Sequence, residues 1–229
     1  MAAINKTERT VTFKIVYCGT PLSGKTTNLQ YIHSCLDPTT RGDLVSLATS
    51  ADRTLFFDFL AVDAAVVQGY RTRFQIYTVP GQITYNATCQ LVLKQADGVV
   101  FVADSLLDRQ RENMQAFGNL EANLRLNGQS LQRMPLVLQY NKRDLTNCAP
   151  LDYMEYLLNN GSQRFYSYEA SATRGANVLS TLNAVSHMVL QRFAKLMEHR
   201  SATENEVEMG ADPLGQMASA PAAVSEVAA

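Results

Sequence analysis

The 229-residue sequence contains no tryptophan and only three histidines, seven prolines and four cysteines. The cysteines have neither the spacing of a zinc site nor the density of a secreted disulfide framework, so we predict reduced thiols in a cytoplasmic protein. A net charge of −1 gives no overall attraction to nucleic acid or to anionic lipid. The scattered cysteines are Cys18, Cys35, Cys89 and Cys148.

Membrane-directing features are also missing from the sequence. There is no signal peptide, and no apolar run is long enough to span a bilayer. Residue 2 is Ala2 rather than glycine, and the C-terminus lacks a prenylation cysteine, so the usual lipid anchors of small switch proteins are not encoded. We therefore expect no membrane anchor, no nucleic-acid partner and a monomer when the protein is alone.

Strand-like and helix-like segments alternate along the chain, which predicts an α/β fold with a right-handed, mostly parallel sheet flanked by helices. The continuous apolar runs at 98–104 and 136–140 are typical of central parallel strands. Residues 55–60 are predicted to form an additional strand, antiparallel to the one at 72–79. Residues 1–199 are predicted to form one domain, and the Ala- and Glu-rich residues 200–229 a disordered tail.

Residues 19–26 read Gly-Thr-Pro-Leu-Ser-Gly-Lys-Thr, the GxxxxGK[ST] pattern of a phosphate-binding loop. A strand pattern precedes the loop and a helix pattern follows it, so the helix N-terminus is directed at the phosphates. Lys25 supplies a cation, and the Thr26 hydroxyl is a hard oxygen ligand for Mg²⁺. The predicted phosphate-side residues are Gly19, Thr20, Pro21, Leu22, Ser23, Gly24, Lys25, Thr26 and Thr27.

Two later motifs favour guanine as the base of the nucleotide. The sequence Asn141-Lys142-Arg143-Asp144 follows a buried strand, and the Asp144 carboxylate there can accept hydrogen bonds from guanine N1–H and N2–H₂. Adenine has no matching donors, and an unpaired buried carboxylate costs affinity. Asn141 is predicted to brace neighbouring loops, and the Lys142 stem to cover the base. In Ser171-Ala172-Thr173, the Ala172 N–H is predicted to reach guanine O6.

Two further segments predict hydrolysis of a bound triphosphate. Gly81 allows the backbone to approach the γ-phosphate closely, and Gln82 after it is placed to orient the attacking water. Thr54 is placed to add a second hydroxyl to Mg²⁺ when triphosphate is bound. Arg53 beside it is placed to act as an arginine finger in cis.

The order of these motifs resembles that of the Ras-like small GTPases, which have a P-loop NTPase fold. The closer similarity, over residues 10–195, is to the MglA-like GTPases of bacteria, the mutual gliding family. It rests on residues 24–32, 53–60, 98–105 and 141–145, and on Thr-Val-Pro-Gly-Gln at 78–82. Ras and Arf relatives normally carry Asp where Thr78 stands, whereas MglA-like proteins share this Thr.

The resemblance implies a GTP/GDP switch with Mg²⁺ and six main strands, acting in cell polarity, gliding or pilus-based motility. It also implies an MglB-like activator, a homodimer of the Roadblock type, with Arg53 as the intrinsic finger and Gln82 as the water-positioning residue. Effectors and the exchange factor are not specified by the sequence.

Two residues depart from the usual pattern. Without a carboxylate at Thr78, metal binding is expected to rest on Thr26, Thr54, phosphate oxygens and water. Pro21 stands where relatives have glycine; it fixes φ and removes an N–H, which predicts slow intrinsic hydrolysis. A non-hydrolysing GTP-bound scaffold is therefore the alternative, and an ATP-dependent kinase is a third hypothesis that leaves Asn141 to Asp144 unexplained.

Overall fold

The computed structural model describes residues 2–47, 57–80 and 86–210. Four residues that the sequence assigns to the site, Arg53, Thr54, Gly81 and Gln82, lie outside these described residues, as do positions 55 and 56 of the predicted extra strand. The chain forms two compact units, Met1–Gln191 and Arg192–Ala229. The strands of the described residues and the predicted nucleotide-binding residues belong to the first unit.

One sheet organises the first unit. Its strand order is β3-β4-β5-β2-β6-β7-β8, and β1 pairs antiparallel with β2. Pairing is parallel from β5 through β8 and antiparallel between β3, β4 and β5. The strands in the described residues are β1 (Ala3–Asn5), β2 (Thr10–Gly19), β3 (Val45–Leu47), β4 (Phe57–Val67), β5 (Tyr70–Thr78), β6 (Gly98–Asp104), β7 (Leu136–Asn141) and β8 (Tyr166–Glu169).

This architecture confirms the predicted α/β class with a mostly parallel sheet. Two of the eight strands, β1 and β3, have only three residues each, which leaves six longer strands. The additional strand predicted at 55–60 is confirmed for residues 57–60, which belong to β4 and pair antiparallel with β5. The helices are α1 (Lys25–Cys35), α2 (Asn86–Leu93), α3 (Gln110–Leu126), α4 (Leu151–Leu158) and α5 (Val178–Gly210).

Helix α5 continues beyond the predicted start of the tail at residue 200 and ends at Gly210. Residues 201–210 read Ser-Ala-Thr-Glu-Asn-Glu-Val-Glu-Met-Gly. Their Ala, Glu and Met are good helix formers, and the prediction of a tail from composition did not consider this helix propensity. The domain boundary at residue 199 and the disorder of the tail stay predictions. Among the described helices, none has the length and apolar character that crossing a membrane requires.

The sheet positions the site through its parallel strands. All residues of β6 and β7 are buried, as expected for strands covered on both faces. The strands β2, β6 and β7 end at Gly19, Asp104 and Asn141, at one edge of the sheet. In open α/β sheets this carboxyl edge is where ligands bind. The predicted phosphate and base loops both begin there.

Candidate nucleotide-binding site

The loop at 19–24 has the shape of a phosphate cradle because two glycines hold it in place. Gly19 and Gly24 have φ values of 138° and 96°, which side-chain-bearing residues rarely adopt. A Cβ on Gly19 would overlap the Val102 carbonyl oxygen, and one on Gly24 would overlap the Asn141 side-chain amide. Both positions therefore require glycine for space as well as for conformation.

Lys25 is only 7% exposed and turns back into this loop. Its ammonium donates hydrogen bonds to the Gly19 and Thr20 carbonyl oxygens at 3.2 and 2.6 Å. Burial lowers the pKa of Lys25 to about 8, against the opposing effect of the nearby Cys18, Cys89 and Asp58 side chains. A buried cation that lies against this loop is well suited to bind an anion.

The same loop and the start of α1 hold donors that lack a partner. Thr20 Oγ1 and Ser23 Oγ are buried side-chain atoms for which the described residues provide no hydrogen-bond partner. Gly24 caps α1 without a side-chain hydrogen bond, so the free N–H groups of the first turn, which includes Thr26 and Thr27, remain available. Such a helix start attracts phosphate through its N–H groups and its dipole. These donors fit a polyphosphate.

The outer part of the loop is formed by Pro21 and Leu22. Leu22 has a φ of 61° and is 86% exposed, so this apolar side chain lies at the surface in a strained conformation. The Pro21 carbonyl oxygen accepts a long hydrogen bond of 3.4 Å from Arg109 Nη2, and Arg109 also pairs with Glu112 at 3.2 Å. A basic side chain therefore lies beside the phosphate loop, which sequence motifs did not indicate.

A cluster of hard oxygen atoms lies beside the start of α1. Thr26 Oγ1 donates to Asp58 Oδ2 at 2.6 Å, and Thr78 Oγ1 donates to the same oxygen at 2.9 Å. The Asp58 N–H in turn donates to Thr78 Oγ1 at 2.8 Å, and Ser46 Oγ donates to Asp58 Oδ1 at 2.7 Å. Hydroxyl and carboxylate oxygens are the ligands that Mg²⁺ prefers, so the donor set fits this ion.

Asn141 connects the base-side loops to the phosphate loop. Its side-chain amide nitrogen donates to the Ser23 carbonyl oxygen at 2.7 Å, and its Oδ1 accepts the Ala172 N–H at 2.8 Å. The same Ala172 N–H is the group that the sequence directs at guanine O6. Binding O6 through it requires this hydrogen bond to be shared or exchanged, and that role stays a prediction.

The remaining base-side residues lie next to one another. Lys142 has a φ of 69°, and its ammonium forms an ion pair of 2.6 Å with the buried Asp104. The Asp144 carboxylate lies at the surface, where a hydrogen bond from Ser171 is the main cause that lowers its pKa. Thr173 Oγ1 donates to it at 3.4 Å. An ionised Asp144 that already accepts hydrogen bonds suits the donors of a guanine edge.

Three residues that sequence reasoning missed complete this description, namely Asp58, Asp104 and Arg109. Asp104 ends a predicted strand at the carboxyl edge of the sheet, where ligands bind, and this position could have indicated a site residue. Asp58 could also have been found from the sequence. The predicted antiparallel pairing of its strand with 72–79 places it near Thr78, the position at which Ras and Arf relatives normally carry an aspartate. No motif distinguished Arg109.

The sequence profile of the ADP-ribosylation factor family matches residues 2–189. The chain belongs to the ADP-ribosylation factor family. The mutual gliding-motility protein MglA of Myxococcus xanthus (strain DK1622) is 47% identical over 195 residues, which cover 85% of this chain and 99% of that protein. The Ras-related protein rab-39 of Caenorhabditis elegans is 24% identical over 183 residues, 79% of this chain and 72% of that protein.

Membership of this family makes the chain a small GTPase, a GTP-hydrolysing switch that binds guanine nucleotides and is regulated by partners. The MglA-like character expected from the sequence is confirmed by the identity with the Myxococcus protein. The hypothesis of a non-hydrolysing scaffold is not favoured.

Proposed function

We propose that this GTPase switches between GTP and GDP states to control cell polarity and gliding or pilus-based motility in a bacterium. The observation that carries the proposal is the 47% identity to a gliding-motility protein, which extends over 99% of that protein. A switch that depends on the cell's GTP pool acts in the cytoplasm, as a monomer until a partner binds it.

The nucleotide contacts follow from the cradle and the base loops. We assign the phosphates to residues 19–27 and Gly81, and the guanine to Asn141, Lys142, Asp144 and residues 171–173. The buried Lys25, the orphaned hydroxyls of Thr20 and Ser23, and the hydrogen bond from Asn141 to the phosphate loop support this assignment.

Thr26 and Thr54 are assigned as the protein's hydroxyl ligands of Mg²⁺. When bound there, Mg²⁺ would supply positive charge to the phosphate groups during hydrolysis. The oxygen-rich surroundings of Thr26 support its part of the assignment.

Hydrolysis is assigned to Gln82 and Arg53. Gln82 orients a water whose oxygen attacks the γ-phosphorus, while the bond from that phosphorus to the β–γ bridging oxygen breaks. Arg53 stabilises the charge of the transition state in cis, a role worth roughly 10³–10⁵ in rate where it operates. An activator of the MglB type, a Roadblock homodimer, would stabilise this arrangement without supplying an arginine.

Single-turnover hydrolysis of GTP tests these roles. We expect slow turnover alone, acceleration by a Roadblock homodimer, and strong loss of the accelerated rate in Gln82→Leu and Arg53→Ala. Arg125→Ala is the matched control, because Arg125 is an exposed arginine on α3 whose one ion pair within the described residues is with Glu121. Equal rates in all four proteins would overturn the catalytic assignment.

A second experiment tests the cellular role. Bacteria that lack the gene should lose directed movement on a surface, and wild-type protein should restore it whereas Gln82→Leu should not. Unchanged movement in the deletion strain would overturn the motility proposal and leave the enzymatic one intact.

A further inference from the structure

A chain of buried polar side chains connects β7 to the phosphate loop through α1. We propose that Gln139 and Asn28 form an amide bridge that positions the Gly24–Lys25 peptide group for the phosphates of the nucleotide. Both are then positioning residues of this GTPase. The inference rests on the proposed placement of the phosphates at residues 19–27, and it names two residues that the proposed nucleotide contacts do not include.

The bridge reaches the loop through Asn28, one turn into α1. The Asn28 side-chain amide and the Asn28 backbone N–H both donate to the Gly24 carbonyl oxygen, each at 2.9 Å. The Gly24 carbonyl and the Lys25 N–H belong to one planar peptide group and point in opposite directions. Two donors on the carbonyl therefore fix the direction of the Lys25 N–H, which is one of the free donors at the start of the helix.

Gln139 fixes the orientation of the Asn28 amide. Its Nε2 donates to Asn28 Oδ1 at 3.0 Å and to Thr181 Oγ1 at 3.1 Å, and that hydroxyl donates to the Asn177 carbonyl oxygen at 2.7 Å. The terminal torsion of an asparagine has no sharp preference of its own, so a hydrogen bond must hold its amide in place. Because Gln139 uses one amide proton for Asn28 and the other for Thr181 on α5, the bridge is anchored at both ends.

The position of Gln139 in the sheet indicates a role beyond stability. Gln139, Asn28 and Thr181 are all 0% exposed, and Gln139 Oε1 has no hydrogen-bond partner among the described residues. A buried acceptor without a partner destabilises a protein, whereas apolar side chains at positions 28, 139 and 181 would avoid that cost. The preceding residues 136–138 of β7 are indeed buried and apolar. Local choices that work against stability are expected at functional sites.

Strand β7 holds the phosphate loop at two successive peptide groups. Asn141 lies two residues after Gln139, on the same face of the strand, and donates to the Ser23 carbonyl oxygen at 2.7 Å. Gln139 acts on the next carbonyl, that of Gly24, through Asn28. The N–H groups that follow these two carbonyls are therefore both oriented by side chains that depend on β7.

The test compares the affinities of the nucleotide-free protein for GDP and for guanosine, which carries the base and the sugar without phosphates. GDP is measured from the association and release rates of a fluorescent GDP analogue, and guanosine from how it slows that association. The variant Gln139→Met keeps the length of the side chain and removes the amide. Thermal unfolding checks that each variant is folded.

Gln129→Met is the matched control. Gln129 also has a buried Oε1 without a hydrogen-bond partner among the described residues, and its Nε2 donates to a backbone carbonyl oxygen, that of Ala96 at 3.0 Å. Ala96 precedes β6, at the edge of the sheet opposite to the phosphate loop. The same substitution is therefore made at a glutamine that has no connection to the proposed bridge.

We expect Gln139→Met to weaken GDP binding by about 3–10-fold, the effect of one hydrogen bond, and to leave guanosine binding unchanged. Gln129→Met should bind both as the wild-type protein does. Asn28→Ala should show the same selective loss of GDP affinity. Because Gln139 acts through Asn28, the double variant should bind GDP no more weakly than Asn28→Ala alone.

A GDP affinity of Gln139→Met equal to that of Gln129→Met would overturn the inference. So would an equal loss for GDP and guanosine, which indicates a general structural role, and so would losses from Gln139→Met and Asn28→Ala that add in the double variant. If Gln139→Met does not fold, the ratio of the GDP loss to the guanosine loss in Asn28→Ala decides. Failure of the wild-type protein to bind GDP would instead contradict the proposed nucleotide site.

Discussion

Asn141 and Ser23 are joined by a hydrogen bond of 2.7 Å from the Asn141 amide nitrogen to the Ser23 carbonyl oxygen, across 118 positions of sequence. Asn141 is 1% exposed and ends β7, while Ser23 lies in the phosphate loop. Since Asn141 also accepts the Ala172 N–H, one side chain holds the phosphate loop and a base-side loop in a fixed relation. Binding of the base and binding of the phosphates are therefore coupled through the Asn141 side chain.

The first prediction concerns Asn141→Ala. It leaves the Ser23 carbonyl and the Ala172 N–H without their partner, at a cost of about 1–3 kcal/mol for each buried group left unsatisfied. We expect a lower melting temperature and a GDP affinity reduced at least tenfold, measured by calorimetry. Asn127→Ala is the control, because its amide also donates to a backbone carbonyl, that of Gln90 at 2.9 Å, away from these loops. Equal GDP affinities in the two variants would contradict the coupling.

The second prediction concerns the pH dependence of binding through Lys25. Burial lowers the pKa of Lys25 to about 8. Bound phosphates favour the ammonium and raise that pKa. Above about pH 8 the complex therefore holds more protons than the free protein, so affinity falls as pH rises, by up to tenfold per pH unit.

Calorimetry in buffers of different ionisation enthalpy measures this proton directly. We expect GDP binding to take up about three quarters of a proton at about pH 8.5 and almost none at about pH 7. Lys25→Arg, whose guanidinium stays charged, should show no such uptake. The same uptake in Lys25→Arg as in the wild-type protein would assign the titration to another group.

The elements of the fold were predictable wherever one periodic pattern dominated. The apolar run predicted at 98–104 is β6 with the same bounds, and α3 ends at Leu126, just before the sequence Asn127-Gly128, which is typical of a helix end. Gly128 there has a φ of 70°, the conformation that favours glycine after a helix. Local sequence decides these features, so sequence reasoning finds them.

Predictions that depend on packing between distant segments were weaker. Met114 has the helical spacing of the apolar residues Phe117, Leu120 and Leu124, yet it is exposed, because the buried positions at this end of the helix are polar. Asn113 exchanges two hydrogen bonds with the backbone of Asp104, at 3.0 and 2.8 Å, and Gln110 also donates to that backbone. The contact of Asp58 with Thr26 was missed for the same reason, since it depends on strand register.

The third prediction concerns Gly175, which links the base-side loop to α1. Gly175 has a φ of 75°, and a Cβ there would overlap the ring of Tyr31. The turn that contains it is closed by a hydrogen bond from the Ser171 N–H to the Ala176 carbonyl oxygen at 3.1 Å. Gly175→Ala should therefore lower the unfolding free energy by about 2–4 kcal/mol, from backbone strain and overpacking together, and weaken GDP binding.

Gly69→Ala is the matched control for Gly175→Ala. Gly69 has a φ of 76° but open space around a Cβ, so only backbone strain of about 1 kcal/mol is expected and GDP binding should not change. Adding Tyr31→Ala to Gly175→Ala should recover part of the lost GDP affinity. Equal stabilities of the two glycine variants in chemical denaturation would show that Tyr31 moves aside at no cost.

The last prediction concerns Pro21 and the rate of hydrolysis. Proline removes an N–H from the loop beside the proposed position of the γ-phosphate, and loss of one such donor lowers rates by about 10²–10³ where it meets transition-state charge. Pro21→Ala restores the N–H without the freedom of glycine, and Pro21→Gly restores both. We expect both variants to hydrolyse GTP at least tenfold faster than the wild-type protein in single-turnover assays without an activator.

Leu22→Gly distinguishes the two possible causes of slow hydrolysis, the missing N–H of Pro21 and the stiffness of the loop. It relieves the φ of 61° next to Pro21 without adding a donor, and it removes a side chain that lies at the surface. If the missing N–H limits the rate, Leu22→Gly should hydrolyse GTP as slowly as the wild-type protein. If Leu22→Gly and Pro21→Gly are accelerated and Pro21→Ala is not, loop stiffness is the obstacle and the argument from the missing donor is wrong.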